Sequence, residues 1–550
     1  MVNIWKRFFL LFLFLSGLDI HNACAKKVII LGVDGLDPVL LKQFMAEGIL
    51  PHFSRLAREG SFTRLQTVMA PQSPVAWATF ITGMDPGGHG IFDFVHRDPA
   101  TLLPEFSMTK TFPPSRTLSL GSWVFPLSNS RIVSQRQGKA FWELIGEKGI
   151  PTTVYQMPVN FPPVEVPLNH SLSGMGTPDI LGTPGTFSYY TTRLPANHQK
   201  ITGGKAYLVK IVDNRIQAQL HGPPNPFRKS SATPAARGNK MKQEEEPIAC
   251  VADFTVDVDV ERKAAKVTVG GQEFILKEKE WSDWVHVDFE AVPYLAAIRS
   301  IGRFYLKQLQ PDFQLYVSPL QINPEDPAMP ITHPGEWGRQ LCECAGYFST
   351  KELPEDTKAF QYGIFSGREF WDQSMLVYEE RVKALRCLLR DFEDGLLFMY
   401  FGTVDQCCHM LWKYMDDQHP SHISDEFLAN GIRTVYQKMD DVLQIVLESS
   451  PADASVIVMS DHGFAPFYRS FNLNTWLAGK GYIRLRDPSR LEGSTLFNNV
   501  DWSQTRAYGL GLNGLYINVK GREKYGIVQA GGEYDQLAET LEKDLLGMTD

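Results

Sequence analysis

The sequence predicts an α/β fold in which helices sandwich a mainly parallel sheet and a β-rich segment is inserted. Three short apolar runs indicate buried parallel strands, at residues 28–33, 396–401 and 455–459. Strand-like and helix-like segments alternate up to about residue 190 and again in the last third of the chain, which is typical of α/β domains. Between residues 200 and 320 short β-type segments follow one another instead. We therefore expect one α/β domain that carries an insertion.

The individual elements follow from local signals. Pro38 begins a helix that ends near Gly48, and Pro74 begins a second helix that ends near Gly83. A short helix at 140–145, a strand at 152–155 and an amphipathic helix at 432–447 complete the α/β pattern. Gly270-Gly271 predicts a hairpin turn in the inserted region. The antiparallel strands expected there are 206–212, 254–258, 266–269, 273–276 and 284–287.

The length of the chain also favours this organisation, because 550 residues exceed what a single ordinary core accommodates. We expect a signal peptide at 1–25, an α/β domain formed by 26–195 and 325–550, and the β-rich insertion at 200–320. A Pro-, Lys- and Glu-rich stretch at 222–246 predicts an exposed loop. The formal net charge of -8 argues against a nucleic-acid-binding surface.

The N-terminal residues resemble a secretory signal. Lys6 and Arg7 precede an apolar stretch at 8–15, and Ala23-Cys24-Ala25 offers a cleavage site. The apolar stretch is short for a transmembrane helix, and no second hydrophobic span follows it. We therefore expect a secreted or periplasmic protein with no transmembrane span after cleavage. An uncleaved membrane anchor is the alternative reading of the same residues.

Six cysteines would remain after cleavage, and an exported compartment permits disulfides. The sequence does not define their pairing. A zinc cluster at Cys342-x-Cys344 is disfavoured, because no second close pair lies at a suitable spacing. We interpret Cys407 and Cys408 as packing residues of a helix.

Metal-ligand side chains follow each of the three apolar runs. Asp34 follows the first, Asp405 and His409 follow the second, and Asp461 and His462 follow the third. Because the carboxyl ends of parallel strands share one edge of a sheet, these side chains can converge although they lie far apart in sequence. Asp405 and His409, four residues apart, would share one helical face. The sequence therefore predicts a metal site at this edge.

Ser73 is the candidate nucleophile. It stands before Pro74 at a predicted helix N-terminus, where a partial positive charge suits a phosphate group. A serine at this position commonly serves only as the helix cap. Together with the three ligand motifs, however, the position favours a catalytic serine, because a hydroxyl needs a metal or a base to become a good nucleophile.

Several motifs resemble the alkaline phosphatase superfamily, and within it the type I phosphodiesterase/nucleotide pyrophosphatase family. They are Val33-Asp34-Gly35, Ser73 ten residues before Gly83, His89-Gly90-Ile91, Asp405 with His409, and Ser460-Asp461-His462-Gly463. The resemblance implies two divalent metal ions, zinc or alternatively manganese. It also implies that Ser73 forms a phosphoseryl intermediate. One ion would be held by Asp34, Asp461, His462 and Ser73, and the other by Asp405 and His409.

The sequence departs from the family in one ligand. The family supplies a third ligand to the second ion from a late histidine, and no histidine follows His462 here. His419 and His422 are candidate substitutes, and a missing C-terminal piece is the other explanation. Trp77 stands four residues after Ser73, where sulfatases of the superfamily carry an arginine, so we exclude a sulfatase.

The resemblance implies a secreted, metal-dependent phosphoric ester hydrolase that acts on a phosphate ester, with diesters favoured over monoesters. A phosphotransferase acting on lipid or glycan head groups would use the same residues. A catalytically degenerate binding scaffold is the alternative that the missing histidine favours. The sequence defines neither the leaving group nor the oligomeric state.

Overall fold

A computed structural model describes residues 27–228, 248–490 and 497–549. Its largest sheet has six strands, and all of its neighbouring pairs are parallel except the one at the Thr332–His333 edge. The three strands predicted from apolar runs are neighbours at the other side of this sheet. The order across the sheet is Thr332–His333, Asn169–Ser173, Thr152–Met157, Gly395–Phe401, Lys27–Val33 and Ala454–Met459.

The strand Lys27–Val33 is buried against two different hydrophobic clusters. Ile29, Leu31 and Val33 belong to a cluster that includes residues of the long helices Gly367–Arg390 and Gly431–Ser449. Ile30 belongs to a second cluster, which includes Trp77 of the helix that begins at Ser73. A strand covered on both faces needs apolar side chains at every position, which explains the uninterrupted apolar run in the sequence.

The four helices predicted from the sequence begin and end within a few residues of the predicted positions. The amphipathic helix, for example, spans Gly431–Ser449. A short 3₁₀ turn spans His198–Lys200. The α-helices of the described residues are Pro38–Ala46, Pro51–Glu59, Ser73–Thr82, Pro86–His89, Phe141–Gly146, Trp337–Ala345, Thr357–Gln361, Gly367–Arg390, Thr403–Met415, Glu426–Ala429, Gly431–Ser449, Leu473–Gly479 and Gly532–Leu546.

The region between residues 187 and 322 forms three further sheets, and residues of all three share one hydrophobic cluster. The five-stranded sheet contains Gly204–Leu208, Phe187–Thr191, Gln314–Val317, Phe304–Gln308 and Glu280–Trp281. The four-stranded sheet contains Arg215–Pro224, Ala249–Asp259, Ala264–Val269 and Gln272–Lys277. The three-stranded sheet contains Val285–Val292, Ala296–Gly302 and Gln321–Ile322.

Four two-stranded ribbons lie outside these sheets. They are Val95–Arg97 with Pro104–Phe106, Thr109–Phe112 with Arg131–Ser134, Thr117–Leu120 with Trp123–Pro126, and Ala507–Gly509 with Leu515–Ile517.

Two sequence predictions in the β-rich region were wrong. The strand expected at 206–212 ends at Leu208 and runs parallel, not antiparallel, to Phe187–Thr191. Alternation of side chains predicts that a segment is a strand, but it does not identify the partner strand. The loop expected from residue 222 begins later, because Gly222 lies within the strand Arg215–Pro224. A Cβ at Gly222 would come within 2.6 Å of the Phe289 ring. That glycine allows close packing, and residues 229–247 lie outside the described residues.

One disulfide, Cys344–Cys387, joins the helices Trp337–Ala345 and Gly367–Arg390 with a Cα–Cα distance of 6.1 Å. The other described cysteines are buried free thiols, including Cys407 and Cys408. Within the described ranges, we found no helix with the length and apolar character needed to cross a membrane. The predicted signal peptide, 1–25, lies outside those ranges.

Candidate active site

Three of the predicted ligands meet where two neighbouring strands end. Asp34 directly follows Lys27–Val33, and its backbone N–H continues the ladder by donating to the Phe401 carbonyl oxygen at 2.9 Å. Asp461 and His462 follow the adjacent strand Ala454–Met459. One ligand atom from each of Asp34, Asp461 and His462 lies within 4.8 Å of the others. The parallel register of the two strands thus places two carboxylates and an imidazole around one point.

Ser73 points its hydroxyl at this cluster. Its Oγ lies 3.2 Å from Asp34 Oδ1 and 3.1 Å from His462 Nε2. The alternative role of Ser73 as the helix cap does not apply, because Gln72 occupies the N-cap position, with an extended backbone and a carbonyl that accepts from Val75 and Ala76. The Ser73 hydroxyl is therefore not used to cap the helix and remains available for chemistry.

The orientation of His462 leaves one ring nitrogen for the site. Nδ1 lies 2.8 Å from the Gly463 carbonyl oxygen, which can only accept a hydrogen bond, so Nδ1 carries a proton and Nε2 faces the carboxylates. Burial lowers the pKa of His462, but the nearby carboxylates outweigh burial and raise it to about 9, with Asp461 contributing most. Burial raises the pKa of Asp34, and repulsion from the neighbouring aspartates raises it further.

The donor set fits a divalent cation. Asp461 Oδ2 and Asp405 Oδ1 are buried without a hydrogen-bond partner. Each lies 3.4 Å from an imidazole Nε2, that of His462 and that of His409 respectively. Buried carboxylate oxygens are normally paired, and carboxylate oxygens with imidazole nitrogens are ligands that zinc prefers. A cation would satisfy both oxygens and offset the repulsion among the buried aspartates.

Asp405 and His409 lie on the helix Thr403–Met415, as predicted, one turn apart. Gly35 places this pair beside the first cluster, because a Cβ on Gly35 would lie 3.0 Å from both Cα and Oδ1 of Asp405. His409 is half exposed, with its ring 4.8 Å from that of Phe464. In the part of the chain that the structure describes, no third side chain forms a compact ligand group with this pair.

The two candidate substitutes for the missing ligand are engaged locally. His419 Nδ1 accepts from the backbone N–H of Ser421, and His422 Nδ1 lies 3.0 Å from the Asp416 carbonyl oxygen. His419 is partly buried and His422 is exposed. The structure therefore does not bring His419 or His422 into a cluster with Asp405 and His409.

His89, which belongs to one of the matching motifs, has a structural role rather than a catalytic one. It is fully buried, its Nε2 lies 3.0 Å from Thr79 Oγ1, and its Nδ1 accepts from the Ile91 backbone N–H. Burial lowers the pKa of His89 to about 4, so it is neutral at physiological pH. This histidine connects the loop after the Ser73 helix to that helix.

Sequence reasoning missed two residues of the site. Trp77 Nε1 donates to Asp34 Oδ2 at 3.1 Å, and the Tyr400 hydroxyl donates to the same oxygen at 2.7 Å. The only sequence signal for Trp77 is its spacing, because a residue four positions after Ser73 lies on the same helical face. Tyr400 is hidden within an apolar strand, where its hydroxyl is the only polar group on the side chain.

A comparison with protein-family models decides the family. The model described as type I phosphodiesterase / nucleotide pyrophosphatase matches residues 28–549. The chain belongs to the type I phosphodiesterase/nucleotide pyrophosphatase family. Searches of curated proteins and of solved structures gave no match.

Membership in the type I phosphodiesterase/nucleotide pyrophosphatase family confirms the resemblance inferred from the motifs. The match extends from the first strand through the last helix, so it includes every residue of the candidate site. The family implies a hydrolase that acts on phosphate esters and is metal-dependent in general. The cluster of Asp34, Asp461 and His462 is where the described structure offers such a metal its ligands.

We expect cation binding at this cluster to depend on pH. Because the pKa of His462 is raised to about 9, its imidazole holds a proton at pH 7 that a bound cation must displace. Cation affinity should therefore increase about tenfold per pH unit between about pH 6 and pH 8, since one proton is released. Competition titrations with a chromophoric chelator measure this slope. An affinity that does not change over this range would contradict the assignment of His462 as a ligand, and His462→Gln should remove the slope.

Proposed function

We propose that this protein is a secreted, metal-dependent phosphoric ester hydrolase of the phosphodiesterase/nucleotide pyrophosphatase type, with Ser73 as its nucleophile. The observation that carries the proposal is the position of the Ser73 hydroxyl, 3.2 Å from Asp34 Oδ1 and 3.1 Å from His462 Nε2, within the ligand cluster. Asp34, Asp461 and His462 would hold one divalent cation, and Asp405 with His409 would hold a second. Zinc fits the ligand types, and manganese is the alternative.

The residues divide the reaction among them. Asp34 Oδ1 and His462 Nε2 hold the Ser73 hydroxyl in place, so its oxygen can attack phosphorus as the leaving oxygen departs. A bound cation would lower the pKa of that hydroxyl and offset charge on the phosphate oxygens. The partial positive charge at the N-terminus of the Ser73–Thr82 helix would favour the same anionic group. Attack yields a phosphoseryl ester, and water then hydrolyses this ester to regenerate Ser73.

An assay with synthetic esters tests the proposal. The mature protein should hydrolyse bis-aryl phosphates faster than mono-aryl phosphates when zinc or manganese is supplied. Absence of turnover with either ester and either metal would contradict the hydrolase. Transfer of the phosphoryl group to an added alcohol in preference to water would instead identify a phosphotransferase.

The second cation should be bound more weakly than the first. Asp405 and His409 give it two protein ligands, whereas catalytic zinc usually has three. Dialysis against a mild chelator should remove one metal equivalent well before the other, and activity should be lost at that first step. Metal analysis of the dialysed protein measures the stoichiometry. Simultaneous loss of both equivalents would mean that another residue completes the second site.

Export is supported by two separate features. The Cys344–Cys387 disulfide is of a kind that persists in oxidising compartments and is rare in the cytosol. Residues 1–25 have the basic start, apolar centre and small-residue end of a secretory signal. N-terminal sequencing of the mature protein tests this proposal, because an uncleaved Met1 start would contradict removal of a signal peptide.

A further inference from the structure

The two oxygens of the Asp34 carboxylate have different partners. Oδ1 faces the candidate active site, 3.2 Å from Ser73 Oγ and 3.5 Å from His462 Nε2. Oδ2 faces the protein interior and accepts two hydrogen bonds, from the Trp77 indole N–H at 3.1 Å and from the Tyr400 hydroxyl at 2.7 Å. A carboxylate oxygen has two lone pairs, so both lone pairs of Oδ2 are occupied.

The two donors are firmly fixed. Trp77 and Tyr400 are 0% and 1% exposed, and their rings pack edge to face with centroids 5.8 Å apart. The indole fits only because residue 32 is glycine, since a Cβ there would lie 2.8 Å from Trp77 Cη2. Gly402 gives the Tyr400 hydroxyl the same room, as a Cβ there would lie 2.9 Å from its oxygen. Neither donor can rotate away from Asp34 without disturbing the core.

We propose that Trp77 and Tyr400 are positioning residues of the metal centre, which hold Asp34 so that Oδ1 alone is left to bind a cation. The inference rests on the proposed function in that it takes Asp34 as a ligand. Donors behind a ligand fix its orientation, and their loss typically weakens metal binding about 10- to 100-fold. With Oδ2 occupied by two donors, Asp34 would offer a cation only Oδ1, the oxygen that also faces Ser73.

Tyr400→Phe tests the proposal with almost no change in volume. The variant removes one of the two donors and frees a lone pair on Oδ2. We expect cation affinity at the tighter site to fall about tenfold or more, measured on purified protein by competition with a chromophoric chelator. Trp77→Phe removes the other donor and should weaken binding in the same direction. Because both groups act on one oxygen, the double variant should show a non-additive loss.

Two matched controls separate positioning from general packing. Tyr155 is fully buried in Thr152–Met157, the strand next to the one that carries Tyr400, where it lies opposite Met399. Its hydroxyl has no hydrogen-bond partner. Trp142 is fully buried, and its indole N–H likewise has no partner. Tyr155→Phe and Trp142→Phe therefore change the same kinds of side chain without removing a bond to Asp34. Both controls should bind the cation within about twofold of the wild type.

The outcomes are distinct. Weaker binding in Tyr400→Phe, with the melting temperature of the metal-free protein equal to that of Tyr155→Phe, supports the proposal. Unchanged affinity in both Tyr400→Phe and Trp77→Phe overturns it, as does an equal loss of affinity in the controls. Because the readout is cation affinity, a wild-type protein that binds zinc tightly but hydrolyses no ester would contradict the proposed function and leave this test valid.

Discussion

Replacing Ser73 by Ala is expected to lower turnover of an aryl phosphate ester by at least about ten-thousandfold. The substitution removes the attacking oxygen, and no other described hydroxyl bonds to both Asp34 and His462. Gln72 occupies the N-cap position and no side chain caps this helix, so the variant loses no capping bond and should melt within a few degrees of the wild type. Steady-state rates, metal analysis and thermal unfolding of the same preparation measure the three quantities.

Ser54→Ala is the matched control for this experiment. Its hydroxyl donates to the Leu50 carbonyl oxygen at the start of the helix Pro51–Glu59, so the variant also loses one serine hydroxyl near a helix N-terminus. It should retain wild-type turnover. A Ser73→Ala protein that keeps most of its activity would show that Ser73 is not the nucleophile.

Asp34→Asn should lower the affinity for a cation but raise the thermal stability of the metal-free protein. Trp77 and Tyr400 would hold the amide oxygen in place of Oδ2, which turns the amide NH₂ toward the site. An N–H donor cannot bind a cation, so affinity at the tighter site should fall more than about a hundredfold and turnover should fall with it. Chelator competition and steady-state rates check this first effect.

The second effect concerns the metal-free protein. Burial and nearby aspartates raise the pKa of Asp34 above its unfolded value, so the ionised carboxylate destabilises the folded state as pH rises above about 4. Asn removes this penalty, and metal-free Asp34→Asn should therefore melt higher than wild type at pH 7 but not near pH 3. Asp179→Asn, at a buried aspartate bonded to Thr183 and Thr186, should leave cation affinity unchanged. A lower melting temperature for Asp34→Asn at pH 7 would contradict this account of Asp34.

The central sheet was predictable because its strands carry a strong local signal. An apolar run such as Val28–Val33 indicates a strand buried on both faces, and the polar residue that follows marks its carboxyl end. These two facts predict that Asp34 and Asp461 lie at the same edge of the sheet, and the structure shows that their strands are neighbours. The β-rich region was less predictable, since the alternation in 204–208 indicates a strand but leaves its direction and partner undefined.

The hydrogen bonds from Trp77 and Tyr400 to Asp34 could not be predicted from the sequence, for a physical reason. Trp77 and Tyr400 are polar at one atom only, and their patterns in sequence are those of core residues. Whether such an atom meets a carboxylate depends on side-chain packing between a helix and a strand far apart in the chain. The Cys344–Cys387 pairing likewise depends on how two helices pack, which spacing does not reveal.

Gly35 limits which substitutions the two ligand sets can tolerate. Its N–H donates to Asp461 Oδ1 at 3.3 Å, and the space where its side chain would stand is occupied by Asp405. The separation between the two ligand sets thus depends on the main chain at residue 35, where any side chain would collide with Asp405. A substitution at this glycine would therefore disturb both sets at once. We expect changes in substrate preference that keep both sets intact to come from the surrounding loops.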